Sequence, residues 1–317
     1  MNRPDIHRHL DTYLSVREAL GLQIRAERTL LRDFVQYVEH ASVSGPIRAQ
    51  LAVDWACASS STRGASGASQ RLSMVRGFLA YLRATLPETE VPAHDIIASA
   101  RRPSPYLLTT EQIQGLMRAA HEAGPQGALR PHTLATVIGL LASTGLRVGE
   151  ALRLTIVDVH LEREPPFLHI RETKFHKSRL VPLHPSTATQ LRAYLSLRAH
   201  LRYDALSEVV FVSEQGHRLH HKALGAWFGV LCKRLRLAPS PGGRRPSLQA
   251  LRHRFAIERI RQWYRDGVDV QALLPTLSVY LGHLRPQESY WYLTATPELL
   301  TEAATRFHRY AMEGEIR

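Results

Sequence analysis

The sequence predicts a mainly α protein of the α+β class, built as two domains joined by a proline-rich linker. Three observations predict it. Apolar residues repeat at helical spacing through the first hundred positions. Residues 86–108 carry Pro87, Pro92, Pro103 and Pro105, which exclude a continuous helix. Two β-like runs, 167–172 and 179–183, then interrupt an otherwise helical second half. At 317 residues the chain is long enough to give each domain a sizeable core.

The elements follow in order. In "ERTLLRDFVQYVEH", Leu30, Phe34 and Val38 recur every four residues with Leu31 and Val35 beside them. In "QRLSMVRGFLAYLRA", Leu72, Val75, Leu79 and Leu82 form a stripe, and Arg71, Arg76 and Arg83 lie off it. Between these helices, "CASSSTRGASGASQ" (57–70) has the small polar composition of a flexible connection. It is either a solvated linker or a loop that closes on a phosphate backbone through Arg63. The proline-rich stretch sets the domain boundary, giving 1–102 and 103–317.

The second domain restarts at "TTEQIQGLMRAA", where Thr109 and Gln112 have capping-box spacing. An apolar helix over 132–143 ends at Gly145, a C-terminal cap. "FLHIRE" and "RLVPL" flank "TKFHKS", a hairpin with Lys174 and Lys177 at its tip, and the two strands make a small antiparallel sheet. "EVVFVS" (208–213) reads as a strand or a buried segment. Helical patterns cover 220–236, 246–265, 269–282 and roughly 286–312.

Lys and Arg number 41 against 28 Asp and Glu, a net charge of +13 that favours a polyanionic partner. Nucleic acid leads and an anionic membrane surface comes second. The longest apolar-rich run, 133–146, is only 14 residues and carries Thr, Ser and Gly, so no membrane span is expected. The opening residues have no apolar signal-peptide core. Cys57 and Cys232 alone cannot build a disulfide framework or a CxxC zinc site. The pairs His7/His9 and His220/His221 lack the spacing that puts two imidazoles on one helical face, so no metal site is expected. The cytoplasm is the default compartment.

Four segments carry chemistry. In "STGLRVGEALRL", Arg147 follows the break at Gly145, and Glu150 three residues on can hold its guanidinium. Such a pair is either a surface ion pair or the base of an anion site. Lysines at a hairpin tip either blunt a strand edge or reach into a site as a proton donor or phosphate contact. In "PSLQALRHRFAIERI", Leu248, Leu251 and Phe255 set an apolar face that Arg252 borders, one turn after Gln249. An arginine turned partly inward needs an anionic partner, unless it only covers the core with its stem. In "GHLRPQESYWYL", Tyr290 and Tyr292 stand about 200° apart on a helix. One can address a site, and the other is core.

Two guanidinia can bind both non-bridging oxygens of a phosphodiester and offset charge that builds in the transition state. Forming a tyrosine phenolate at neutral pH costs roughly 4 kcal/mol, which a nearby base and the arginine field reduce. Attack on phosphorus would give a phosphotyrosine linkage that conserves the bond. A lysine suits protonation of the leaving oxygen. This chemistry needs neither metal nor cofactor.

The combination resembles the tyrosine recombinase, or phage integrase, family. That family's "TGLR..E...L" box matches Thr144–Gly145–Leu146–Arg147 with Glu150. Its "H.LRH.FA" box matches Leu251–Arg252–His253 with Phe255–Ala256, and its "LGH" followed nine residues later by tyrosine matches Leu281–Gly282–His283 and Tyr292. The resemblance implies a tyrosine-recombinase fold, with 1–102 a helical core-binding domain and 103–317 a mixed α/β catalytic domain. It implies Arg147, Lys174, Arg252, His283 and Tyr292 as catalytic residues, with Lys174 preferred to Lys177 as the acid. The chain departs from the pattern at Gln249, where the family usually has histidine. Glutamine can donate a hydrogen bond to a phosphate but cannot exchange a proton at neutral pH. His283 can then contribute a hydrogen bond, and water can accept the proton.

The resemblance further implies duplex DNA as partner, a site-specific recombination reaction in the service of a mobile element, and a tetramer on two sites. Arg63, Arg71, Arg76, Lys177, Arg244 and Arg245 are candidate DNA contacts. Thr296, Pro297, Leu299, Leu300, Ala303, Ala304 and Phe307 give a capped apolar tail helix that either folds back on its own domain or docks on a neighbouring protomer. The alternatives are a non-catalytic architectural DNA-binding protein of this fold, or a type IB topoisomerase-like strand transferase.

Overall fold

The computed structural model describes residues 6–22, 24–41, 45–58, 64–97, 104–125, 127–171, 178–240, 244–283 and 287–294, with four further positions at 301, 304, 305 and 308. Within it the chain forms two compact units, Met1–Arg102 and Pro103–Arg317.

The first unit is four helices: α1 (Ile6–Ala19), α2 (Arg25–His40), α3 (Ala49–Ala58) and α4 (Gly64–Thr85). The stripes read from the sequence are the ones buried, except that Leu30 is only half-buried. Leu31, Phe34, Val35 and Val38 of α2 meet Leu72, Val75, Leu79 and Leu82 of α4 in one core, with Trp55 of α3 against the Phe34 ring at 5.1 Å. One expectation fails here. The connection drawn over 57–70 is much shorter, because α3 runs to Ala58 and α4 begins at Gly64. Ala68 is 2% exposed, so packing on the core outweighs the low helix propensity of the glycines and serines around it.

The second unit opens with α5 (Thr110–His121), which starts in the expected capping box: Thr109 Oγ1 accepts from the Gln112 amide, and Gln112 Oε1 accepts from the Thr109 amide. α6 (Leu129–Thr144) follows, buried on nearly every side and packed between α5, α8 (Pro185–His200) and α10 (Leu248–Arg265). A central helix needs apolar residues all round, which is what "TLATVIGLLA" supplies. α6 ends at Gly145 in the left-handed conformation, φ +63°.

A one-turn helix α7 (Val148–Ala151) leads to an antiparallel sheet of β1 (Val159–His160), β2 (Phe167–Ile170) and β3 (Arg179–Pro182), in that order. Ile170 pairs with Arg179 at the end of the β2–β3 ladder. The hairpin tip, with Lys174 and Lys177, lies outside the described residues. Val209–Val212 is a buried segment touching Thr155 and Arg218 through isolated bridges. α9 (His221–Arg234), α10, α11 (Val270–Leu281) and α12 (Gln287–Tyr290) complete the unit, with a 3-10 turn at Trp291–Thr294. The helix expected over 286–312 is thus broken into short turns as far as residue 294. Of the tail stripe, only Ala304 falls within the described residues, and it is exposed. Among the described residues, no helix is long and apolar enough to cross a membrane.

Candidate active site

The site is assembled where three chain breaks meet: the end of α6, the end of α11 and the start of β3. Gly145 and Gly282 both take positive φ, +63° and +66°, a conformation L side chains rarely adopt. Each is also pressed by a neighbour. A β-carbon at 145 would lie 2.4 Å from the Phe255 ring, and one at 282 would lie 2.9 Å from Nη1 of Arg179 and 3.3 Å from Nη1 of Arg147. The glycines end their helices and let arginines approach the exposed carbonyls.

Those arginines tie the breaks together. Arg252 is 2% exposed. Its Nη1 donates to the Gly145 carbonyl at 2.8 Å and its Nη2 to the Leu281 carbonyl at 2.7 Å. Where the sequence called for an anion beside this buried guanidinium, two helix-end carbonyls, each carrying part of a helix dipole, receive it. Burial, and then the charge of Arg147, bring its pKa down to about 10. It remains protonated at neutral pH.

Arg147 sits at the N-cap of α7. Its Nη1 donates to Glu150 Oε1 at 3.0 Å, its amide to Oε2 at 3.0 Å, and its Nη2 to the Gly282 carbonyl at 2.8 Å. Glu150, 4% exposed, also receives both terminal nitrogens of Arg179, at 3.2 and 2.8 Å. Burial acts to raise the Glu150 pKa, but the hydrogen bonds and charges of Arg179 and Arg147 outweigh it and hold the carboxyl below its ordinary range. Two guanidinia therefore share one carboxylate, and its charge also acts on the third, Arg252. The surplus is positive, and Arg147 remains about one-third exposed, so the pocket can receive an anion.

The tyrosines separate into three roles. Tyr280 stacks on Phe255, centroids 5.5 Å apart, and burial pushes its phenol up to about 12. Tyr292 is 2% exposed and its hydroxyl lies 3.3 Å from Nδ1 of His253. Its ring stacks with the His283 imidazole at 6.1 Å. Tyr290, expected in the core as the partner of a site tyrosine, is instead 43% exposed. The short α12 lies at the surface, so the face opposite the site meets solvent. His283 follows the α11 cap and engages Ser289 Oγ through Nδ1 at 2.7 Å.

Residues 106–298 match the model of the phage integrase family. This chain belongs to the phage integrase family. A named integrase/recombinase of Sinorhizobium fredii, y4rB, is 38% identical over 302 residues, covering 94% of this chain and 95% of that one. The integrase described here is a tyrosine-type site-specific recombinase. Among solved structures, the XerH recombinase bound to its palindromic difH substrate superposes with a TM-score of 0.67 at 21% identity, covering 92% of this chain and 82% of that one. A lambda integrase tetramer bound to a Holliday junction gives 0.62 at 17%, covering 89% and 78%. At those identities the likeness is one of fold.

In the integrase, Arg147, Arg252, His283 and Tyr292 come together as the motif spacing implied. Gln249 is exposed in the first turn of α10. Arg244 and Arg245 are exposed just before that helix. In the other unit, Arg71 is engaged internally: it lies 3.8 Å over the Trp55 ring and donates to Asp33 at 3.2 Å. Arg76 donates to the carbonyls of Pro92 and Ala93. A phosphate at either would have to share or break these bonds. Arg63 lies outside the described residues. Sequence reasoning missed Arg179 and passed over His253. A charged residue two positions from Val181, on the inward face of a strand, was the available signal for Arg179. For His253 the signal was its place in the Leu251–Arg252–His253 match, to which no role had been given.

Proposed function

We propose that Tyr292 attacks a DNA phosphodiester, leaving a 3′-phosphotyrosyl intermediate that the exchanged strand resolves, with Arg147 and Arg252 holding the phosphate. The observation that supports this most is the gathering of two arginines, His283 and a buried Tyr292 hydroxyl at one meeting of helix ends. In this reading the arginine surplus offsets charge developing on the phosphate. His283 adds a hydrogen bond, and Lys174 protonates the leaving 5′ oxygen. Residues 1–102 act as a core-binding domain and 103–317 as the catalytic domain, with Gln249, Lys177, Arg244 and Arg245 meeting the phosphate backbone.

The solved XerH and lambda integrase chains are bound to DNA, the latter as a tetramer. They support duplex DNA as the partner of this chain and assembly of copies upon it. The tail beyond Tyr292 then docks on a neighbouring protomer in a cyclic arrangement, positioning each nucleophile through its neighbour. The reaction serves the movement of a mobile element and takes place in the cytoplasm.

A nicked suicide duplex run on a denaturing gel tests the assignment. Tyr292→Phe loses the covalent adduct and keeps DNA affinity, while Tyr290→Phe keeps both. An adduct that persists in Tyr292→Phe and vanishes in Tyr290→Phe overturns it.

A further inference from the structure

Two groups that suit ionisation of the Tyr292 phenol act on it. One is Nδ1 of His253, 3.3 Å from the hydroxyl. The other is the buried cation of Arg252, whose charge interacts with Tyr292. His253 and Arg252 are consecutive on α10, so one helix presents both a proton acceptor and a positive field. His253 is itself only 8% exposed, and its ring lies 5.8 Å from that of Tyr292 and 5.4 Å from Trp291. Burial on this scale leaves bulk water a poor acceptor for the phenolic proton. The alternatives nearby are weak. Gln249 is exposed and its amide cannot take a proton. His283 directs Nδ1 to Ser289 Oγ.

We infer that His253 is the catalytic proton acceptor for Tyr292, an assignment that rests on Tyr292 being the nucleophile. In the step, the phenolic O–H breaks and its proton passes to Nδ1, giving an imidazolium. The oxygen's electron pair forms the bond to phosphorus, and the P–O5′ bond breaks. The leaving oxygen takes a proton from the acid assigned to Lys174. A second ionisation balances the first, and no other reactant is needed. Among the described residues, Arg252 of α10 carries a charge that acts on Tyr292, and Arg147 before α7, Glu150 on α7 and Arg179 on β3 act in turn on Arg252, while His283 beyond α11 stacks on Tyr292.

The test is single-turnover adduct formation by the full chain on a nicked suicide duplex, across pH, in wild type, His253→Gln and His283→Gln, each also carrying difluorotyrosine at 292. Expected for His253→Gln is unchanged DNA affinity, a loss of about 10²-fold in rate, and disappearance of the ascending pH limb, which His283→Gln retains. The more acidic fluorinated phenol should recover most of the His253→Gln loss and barely change wild type. A rate loss with the pH limb intact and no recovery overturns the inference. So does faster cleavage by His253→Gln, which would make the contact a restraint on Tyr292. Wild type that forms no adduct defeats the nucleophile reading itself, whereas undiminished cleavage by His253→Gln defeats only the role of His253. A measurement independent of any change at 253 is the 15N spectrum of histidine-labelled chain, in which Tyr292→Phe should move one Nδ1 resonance. No change in any imidazole would overturn the contact on which the inference stands.

Discussion

Arg179 and Glu150 meet at two points, Nη2 to Oε2 at 2.8 Å and Nη1 to Oε1 at 3.2 Å, and so fasten the first residue of β3 to the helix that carries Arg147. Glu150 is 4% exposed, and removing one partner leaves a buried carboxylate with only part of its compensation. Arg179→Met is expected to destabilise the unit by about 3 kcal/mol, measured by urea unfolding. Because Arg147 shares that carboxylate, cleavage should also fall, with its guanidinium held less firmly.

The same pair sets an acid limit. The folded pKa of Glu150 lies below its ordinary value of 4.5. Its contribution to stability is therefore fully present above 4.5 and is lost as pH falls from there through the lower, folded value. Glu150→Gln should lower stability at neutral pH and flatten the acid branch of a stability-against-pH curve. An acid branch as steep as in wild type would show that other carboxylates govern it.

Gly145 and Gly282 are expected to be intolerant for different reasons. Gly145→Ala imposes a left-handed strain of roughly 1–2 kcal/mol and drives a methyl into Phe255, so the thermal midpoint should drop. In Gly282→Ala the close atoms are guanidinium ends of Arg179 and Arg147, which are more yielding than a ring. Its larger effect should fall on cleavage rate, read in single turnover beside a thermal melt.

Arg147→Ala and Arg252→Ala should each suppress cleavage far more than DNA binding, since contacts that tighten as charge develops act on the transition state. Arg252→Ala has a second cost. It strips hydrogen bonds from the Gly145 and Leu281 carbonyls, about 1–3 kcal/mol for each acceptor left unsatisfied. Denaturant unfolding should separate the two, with Arg252→Ala the less stable. A loss of affinity as large as the loss of rate in either variant would contradict the phosphate role.

Binding to duplex DNA should weaken steeply with salt, because a chain with a net charge of +13 must release many counterions as it neutralises phosphates. A nearly flat plot of log affinity against log salt would exclude extensive backbone contact.

Much of this was legible in the chain itself. The stripes of α2 and α4, the Thr109 capping box, the Gly145 cap and the β2–β3 hairpin all follow from short-range rules, in which a residue's neighbours within a turn decide its conformation. The motif order likewise carried Arg147, Arg252, His283 and Tyr292, because their spacing persists in one dimension. The start of α4 at Gly64 was not legible, since a core contact by Ala68 overrides local composition.

What the sequence by itself determined is therefore the class of fold, most of its elements and the candidate residues Arg147, Arg252, His283 and Tyr292. Only the tertiary structure decided what surrounds Tyr292. Arg179 stands 29 residues from Glu150, and His253 stands 39 from Tyr292. Contacts at such separations depend on how helices and strands pack rather than on any local period. Arg252 shows the same limit. The sequence marked it as an inward charge, but that it rests on the carbonyls of Gly145 and Leu281 follows from α6 and α11 both ending beside α10, where their last oxygens face its buried guanidinium.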